Sequence, residues 1–307
     1  MIFMPGKSWS APVPALSTEE QLIRDKLKSH VVMLAQTIGE RNVWRAETLD
    51  AAALYIRNTL EVLDYRVNMQ SFECEGVTVQ NLEVELPGIG APEELIVVGA
   101  HYDTVPGGPG ANDNASAVAA LLEIARLVAG KTCTRTLRLV AFVNEEQPFS
   151  NTDEMGSRVY AQRSRHRGEQ IKAMLALETM GYYTDQPASQ HYPFPFNYFY
   201  PDSGNFIGFV GNLSSWRLVR RAVGAFRAST TFPSEGVAAP GWIRGVGWSD
   251  HASFWQAGYP AIMITDTAFF RYQHYHAATD TPDKLDYNSL ARVTRGLVDV
   301  VAVLAGD

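Results

Sequence analysis

Between Leu95 and Glu178 the chain alternates short apolar runs with stretches of helical spacing, and that alternation restricts the fold more than any other feature. Leu95–Ala100, Thr136–Phe142 and Ile171–Glu178 read as buried strands, whereas Ala115–Val128 and Asp153–Gln162 place their apolar residues on one helical face. Strands and helices in turn imply a largely parallel sheet covered by helices. Upstream, Ser17–Gln36 and Ala46–Leu63 predict two helices, the first opened by Ser17 and Glu20 at capping-box spacing. Tyr65–Phe72 and Val77–Leu86 predict a hairpin about a Glu75-Gly76 turn. Downstream, strands are expected at Asn205–Val210 and Ala261–Thr265, and helices at Ser214–Arg227, His251–Gln256 and Tyr287–Leu304.

No internal repeat and no shift of composition divides the 307 residues, so one domain, 1–307, is expected, with a proline-rich extension over residues 1–16. Residues 185–204 mix Pro187, Pro193, Pro195 and Pro201 with many aromatic side chains; such a segment reads as an ordered loop or lid beside a site rather than a disordered linker. A net charge of -7 argues against nucleic acid and anionic membrane as partners, both of which call for a basic face. The apolar runs are too short to cross a bilayer. Lys7, Pro5, Pro12 and Pro14 break up any apolar signal core, and only Cys74 and Cys133 are present, so a reduced, cytoplasmic setting is expected.

The polar residues that stand out fall just after the expected strands, where open α/β sheets build their sites. His101 and Asp103 follow one strand, Glu145 and Glu146 follow the next, Glu178 ends a third, and Asp113 precedes a helix. Taken singly, a His-x-Asp pair reads as a structural hydrogen bond, paired glutamates as solvated surface, and Asp113 as a helix cap. Taken together, one imidazole and five carboxylates in one crevice repel one another unless a cation lies among them. Imidazole and carboxylate without cysteine suit zinc, with cobalt or manganese as substitutes. His101 then ligates while Asp103 orients its other ring nitrogen, and Asp113 can bridge two metals. Adjacent side chains of an extended segment point to opposite sides, so Glu146 is expected to ligate and Glu145 to act as general base. A second histidine is needed, and His274, His276 and His251 all qualify by spacing.

In order, HYDTVPGGPGANDNAS, FVNEEQPF, LALETMGYY, SDHASFWQAGYPA and HYHAATDT resemble the co-catalytic dizinc aminopeptidases, the metallopeptidase family of the bacterial leucyl aminopeptidases, which shares its fold with glutaminyl cyclases. The resemblance covers the chain from about Ile38 onward. It implies a single three-layer α/β/α domain around a twisted mixed, largely parallel sheet. It also implies two Zn2+ ions, with His101 and His276 as terminal imidazole ligands, Asp113 as bridge, Glu146 and Glu178 as terminal carboxylates, and Glu145 as base. His276 is chosen because the family's ligand histidine lies shortly before an Asp-Thr pair, here Asp280-Thr281. Glu178 stands where many members have aspartate, which lengthens one arm. Ser249, Asp250 and His251 match a segment lining the site. The activity implied is hydrolysis of the N-terminal peptide bond of a peptide with a free N-terminus, with Tyr182, Tyr183, Trp248 and Phe269 as candidates for the side-chain pocket. A single-zinc cyclase-like acyltransferase, a carboxypeptidase or amidohydrolase, and a non-catalytic binding module are the rival readings.

Overall fold

The computed structural model describes residues 3–306. The chain opens with α1 (Thr18–Val31) and α2 (Ala46–Glu61), then forms the hairpin β1 (Asn68–Cys74) and β2 (Val77–Leu86). Ser17 caps α1 as a full capping box with Glu20. Glu75 and Gly76 turn the hairpin with positive φ at both positions, as a tight two-residue turn requires. The alternating section is β3 (Gly88–His101), α3 (Ala117–Val128), β4 (Cys133–Phe142), α4 (Gly156–His166) and β5 (Gln170–Glu178). It is followed by β6 (Ile207–Gly211), α5 (Trp216–Ser229), β7 (Ser234–Ala238), α6 (His251–Gln256), β8 (Ala261–Thr265) and α7 (Tyr287–Ala305).

All eight strands form one mixed sheet in the order β1-β2-β4-β3-β5-β8-β6-β7. Its middle, β4-β3-β5-β8, is parallel. Antiparallel pairs join β1 to β2, β2 to β4 and β6 to β8, whereas β6 and the edge strand β7 run parallel. Period-two alternation divides the core between the faces. Ile96, Val98, Leu139, Ala141, Leu175 and Leu177 join the larger core with α1, α2, α3, α5 and α7. Leu95, Val97, Val140, Phe142, Met174 and Ala176 join a second core with Tyr160 of α4 and Phe254 of α6. The result is a single α/β/α sandwich. Residues with both neighbours buried in this way contribute about 1.5–3 kcal/mol each, which makes the central strands a rigid platform for whatever follows their carboxyl ends.

The N-terminal residues are tied down. Ser8 accepts from the Ser234 amide, and Pro5 and Gly6 accept from Arg227, so this segment runs along the β7 edge. Among the described residues, no helix is long and apolar enough to cross a membrane. The edge strand β7, SEGVA, was not expected from sequence: its glycine and glutamate give no strand signal, and pairing with β6 alone makes it a strand.

Candidate metal centre

Register brings the functional residues together before any side chain is considered. β3 and β5 run parallel with Gly99 beside Ala176, so two residues on His101 stands beside Glu178. β4 ends against the same His101, which pairs with Phe142, and the chain leaves it through Val143 and Asn144 to Glu145 and Glu146. Asn144, Thr179 and His276 all have positive φ, which is uncommon for any residue with a Cβ and an outlier for β-branched threonine. These conformations turn Glu145, Glu178 and the His276 ring inward, and the neighbours hold them there: Asn114 accepts from the Thr179 amide, and the Thr179 carbonyl accepts from Asp266.

The geometry divides into two halves that share Asp113. His101 Nε2 lies 3.3 Å from Asp113 Oδ1 and 3.4 Å from Glu178 Oε2. His276 Nε2 lies 3.0 Å from Asp113 Oδ2 and 3.1 Å from Glu146 Oε2. One carboxylate therefore turns each of its oxygens to a different histidine, with a separate glutamate beside each. Glu145 sits a little apart, its Oε2 3.8 Å from His101 Nε2. Of the other late histidines, His274 is half-buried and meets Thr279, and His251 is buried with Nε2 on the Val246 carbonyl and its ring against Trp255. Burial lowers the His251 pKa to about 4, so it stays neutral. His276 is the histidine that the fold delivers to the carboxylates.

The cluster is electrostatically tense. Burial pushes Glu145 well above the carboxylate range, and Glu178 and Glu146 add to this against His101. Burial and Asp113 raise Glu146 to about 8, and burial raises Glu178. Against burial, the two histidines hold Asp113 low. Against burial too, the surrounding carboxylates push His101 well up and His276 to about 10. Both ring nitrogens of His101, Asp113 Oδ1 and Glu146 Oε1 are buried without a hydrogen-bond partner. Such orphaned groups are costly unless protons or cations satisfy them. Three of the donor groups formed here, His101-Asp113-Glu178, Asp113-Glu146-His276 and His101-Glu145-Glu146, have ligand atoms close enough for one ion. The residues fit a divalent cation in each half.

The supports come from far along the chain. Asp103 lies 3.4 Å from His101 Nδ1, and its two oxygens accept from the backbone N–H groups of Glu145 and Glu146 at 3.1 Å. It therefore aligns imidazole and glutamates at once. We expect Asp103→Ala to weaken zinc affinity and lower kcat by roughly 10–100-fold, with Asp103→Asn partly restoring both; chelator competition and steady-state rates will measure this. Asp280 accepts from the amides of Asn112 and Asp113 and from Tyr272, which fixes the bridging loop. At Gly110 a Cβ would meet the Asp113 carbonyl at 2.2 Å, so only glycine allows that loop to close. Ser249 donates to Glu178 Oε2 at 2.7 Å, and Asp250 is fully buried, its carboxyl raised to about 7 by burial. Sequence spacing had no signal for the clamp role of Asp280 or for the buried Arg41 beneath the same loop.

Beside Glu178 opens a largely apolar cavity bounded by Trp248, Phe269, Tyr275 and the aromatic segment Tyr192–Tyr200. Of the sequence-expected pocket residues, Trp248 and Phe269 are in its walls. Tyr182 and Tyr183 do not line it: Tyr182 packs on Tyr272, and Tyr183 turns inward against Phe232.

A protein that gathers two imidazoles and four carboxylates at the carboxyl edge of a parallel sheet is a metalloenzyme. Comparison with known proteins agrees. The model of peptidase family M28 matches residues 81–301. An uncharacterized protein of Escherichia coli K12, YfbL, is 38% identical over 302 residues, covering 95% of this chain and 91% of its own. A probable leucine aminopeptidase of Arthroderma otae is 26% identical over 318 residues, covering 96% and 74%. Among solved structures, the zinc aminopeptidase BSAP of Bacillus subtilis superposes with a TM-score of 0.73 at 15% identity, covering 96% of this chain and 97% of that one. The chain belongs to peptidase family M28.

Proposed function

We propose that the chain is a two-zinc aminopeptidase in which His101, Asp113 and Glu178 hold one ion, Asp113, Glu146 and His276 hold the other, and Glu145 is the general base. The observation that carries this reading is the sharing of Asp113, whose two oxygens face separate histidine-glutamate pairs. Bound there, a zinc pair would polarise the scissile carbonyl and lower the pKa of a water molecule. The chain's own part is proton transfer and positioning. Glu145 takes the proton from the attacking water and returns it to the departing amine, and Asp103 keeps its main chain in place meanwhile. The carboxylates around the ions attract a free α-amino group, and the cavity beside Glu178 receives the first side chain. Residues Tyr192–Tyr200 roof that cavity and act as its lid.

Metal analysis tests the reading directly. We expect two equivalents of zinc per chain, with hydrolysis of aminoacyl amides lost on chelation and restored by zinc, cobalt or manganese. A single equivalent in fully active protein, together with cyclisation of N-terminal glutamine, would instead make it a cyclase. Cleavage confined to C-terminal residues or N-acylated substrates would make it a different hydrolase on the same scaffold.

A further inference from the structure

The cavity beside Glu178 has a floor set by the sheet itself. Glu178 of β5 pairs with Thr265 of β8, Thr265 with Gly208 of β6, and Gly208 with Glu235 of β7. Paired residues share a face, so these four form one row that crosses three strand spacings, about 14 Å. All four line the cavity. A metal-site glutamate stands at one end of the row and a second glutamate at the other, and Gly208 leaves the middle without a side chain. The trough is long and walled by aromatic rings.

We propose that this trough receives the side chain of the substrate's N-terminal residue and that Glu235 at its far end selects a long basic one, lysine or arginine. The proposal rests on the aminopeptidase reading and refines it. Four neutral polar side chains of the lining, Thr265, Gln190, Tyr192 and Tyr200, are already committed. Thr265 Oγ1 meets Thr179 and the Thr267 amide, and Gln190 Oε1 accepts from Arg271 and Thr267. Tyr192 donates to the Pro201 carbonyl, and Tyr200 to that of Gly236. Glu235 keeps acceptor capacity. Among the described residues its ion-pair partner is Arg227, 3.7 Å away and beyond hydrogen-bond range, with its fork given to Ser234, Pro5 and Gly6. Burial raises the Glu235 carboxyl, although Arg227 and Ser8 pull it down, so an arriving cation gains from a partly desolvated partner. The other charged side chain of the lining, Arg244, is exposed and lies 4.6 Å from the centre of the Phe269 ring, so water screens its repulsion. Small side chains such as alanine or valine end near the Glu178 end of the row, short of Gly208, and leave Glu235 unreached.

The test compares arginine, lysine, citrulline and leucine amides with the zinc-loaded wild type and with Glu235→Gln. The wild type is expected to favour arginine over its neutral isostere citrulline by about tenfold, and Glu235→Gln to lower the arginine-to-leucine ratio of kcat/KM by about 10–100-fold. Binding is read separately by calorimetric titration with L-argininamide. If no amide is hydrolysed but argininamide binds the wild type and Glu235→Gln weakens it, the aminopeptidase reading falls and the trough stands. Equal ratios and equal binding in the two proteins overturn the proposal. So does a preference for an acidic N-terminal residue, which would place recognition at Arg244.

Discussion

Glu145→Gln will leave the protein folded and loaded with zinc while lowering kcat by roughly 10²–10⁴-fold, the usual worth of a positioned general base. Glutamine keeps the size of the side chain and cannot accept the proton. The backbone N–H of residue 145 still donates to Asp103, so the loop stays in register with His101. Geometry separates this residue from its neighbour: Glu146 lies 3.1 Å from His276 Nε2, whereas the closest imidazole to Glu145 is His101 at 3.8 Å. Burial, with Glu178 and Glu146 close by, raises the Glu145 carboxyl against the pull of His101, the direction that suits a group which must hold a proton briefly. Zinc content and turnover have to be measured on the same sample. Loss of one zinc along with activity would make Glu145 a ligand, as its place in the His101-Glu145-Glu146 group allows, and full activity would remove it from the chemistry.

The parallel centre of the sheet was legible because its strands are apolar on both faces and short, so length alone separated them from helices. Val77–Leu86, His251–Gln256 and Ala261–Thr265 are found with the bounds that periodicity indicated. Where the sequence was silent, tertiary pairing decided. β3 begins at Gly88 and not Leu95, because Thr136 accepts from the Gly88 amide and donates to the Pro92 carbonyl across a bulged stretch that Pro92 and two glycines disguise. α4 begins at Gly156 rather than Asp153, since Asn151 has positive φ and residues 151–155 are spent in a turn against Val143.

At the site, position after a strand was enough to single out His101, Glu145, Glu146 and Glu178. Spacing alone could not rank His251, His274 and His276; the resemblance chose His276 by the Asp280-Thr281 pair that follows it. Tyr182 and Tyr183, four and five residues past Glu178, were among the pocket candidates. The Asp266 carboxylate accepts from the Tyr182 amide and from Asn112, and this turns the strand-end peptide toward the larger core, away from the cavity. The trough could not be read from sequence at all, because Gly208 and Glu235 acquire their meaning only from register with Glu178.

Arg41→Met should cost about 3–5 kcal/mol of stability, a large part of the 5–15 kcal/mol of an ordinary domain. Arg41 is fully buried and, among the described residues, forms no ion pair or hydrogen bond with a carboxylate. Its guanidinium donates to the carbonyls of Leu34, Gly39, Tyr102, Pro109 and Gly110. Burial lowers its pKa to about 10, partly offset by Asp103, Asp280 and Asp113, so it remains charged at neutral pH. One side chain thus pins both ends of the loop that runs from His101 to Asp113, the carboxylate shared by the two halves of the metal centre. Methionine fills much of the volume and satisfies none of the five carbonyls, each of which then carries a desolvation cost of about 1–3 kcal/mol before the loop relaxes. Lysine restores the charge without the planar fork and should recover only part of the loss. Urea unfolding of the metal-free protein gives the stability, and chelator competition on the loaded protein gives the zinc affinity; both are expected to fall together. A lysine variant equal to the wild type in both measurements would show that charge, and not the fork across five carbonyls, is what the loop needs.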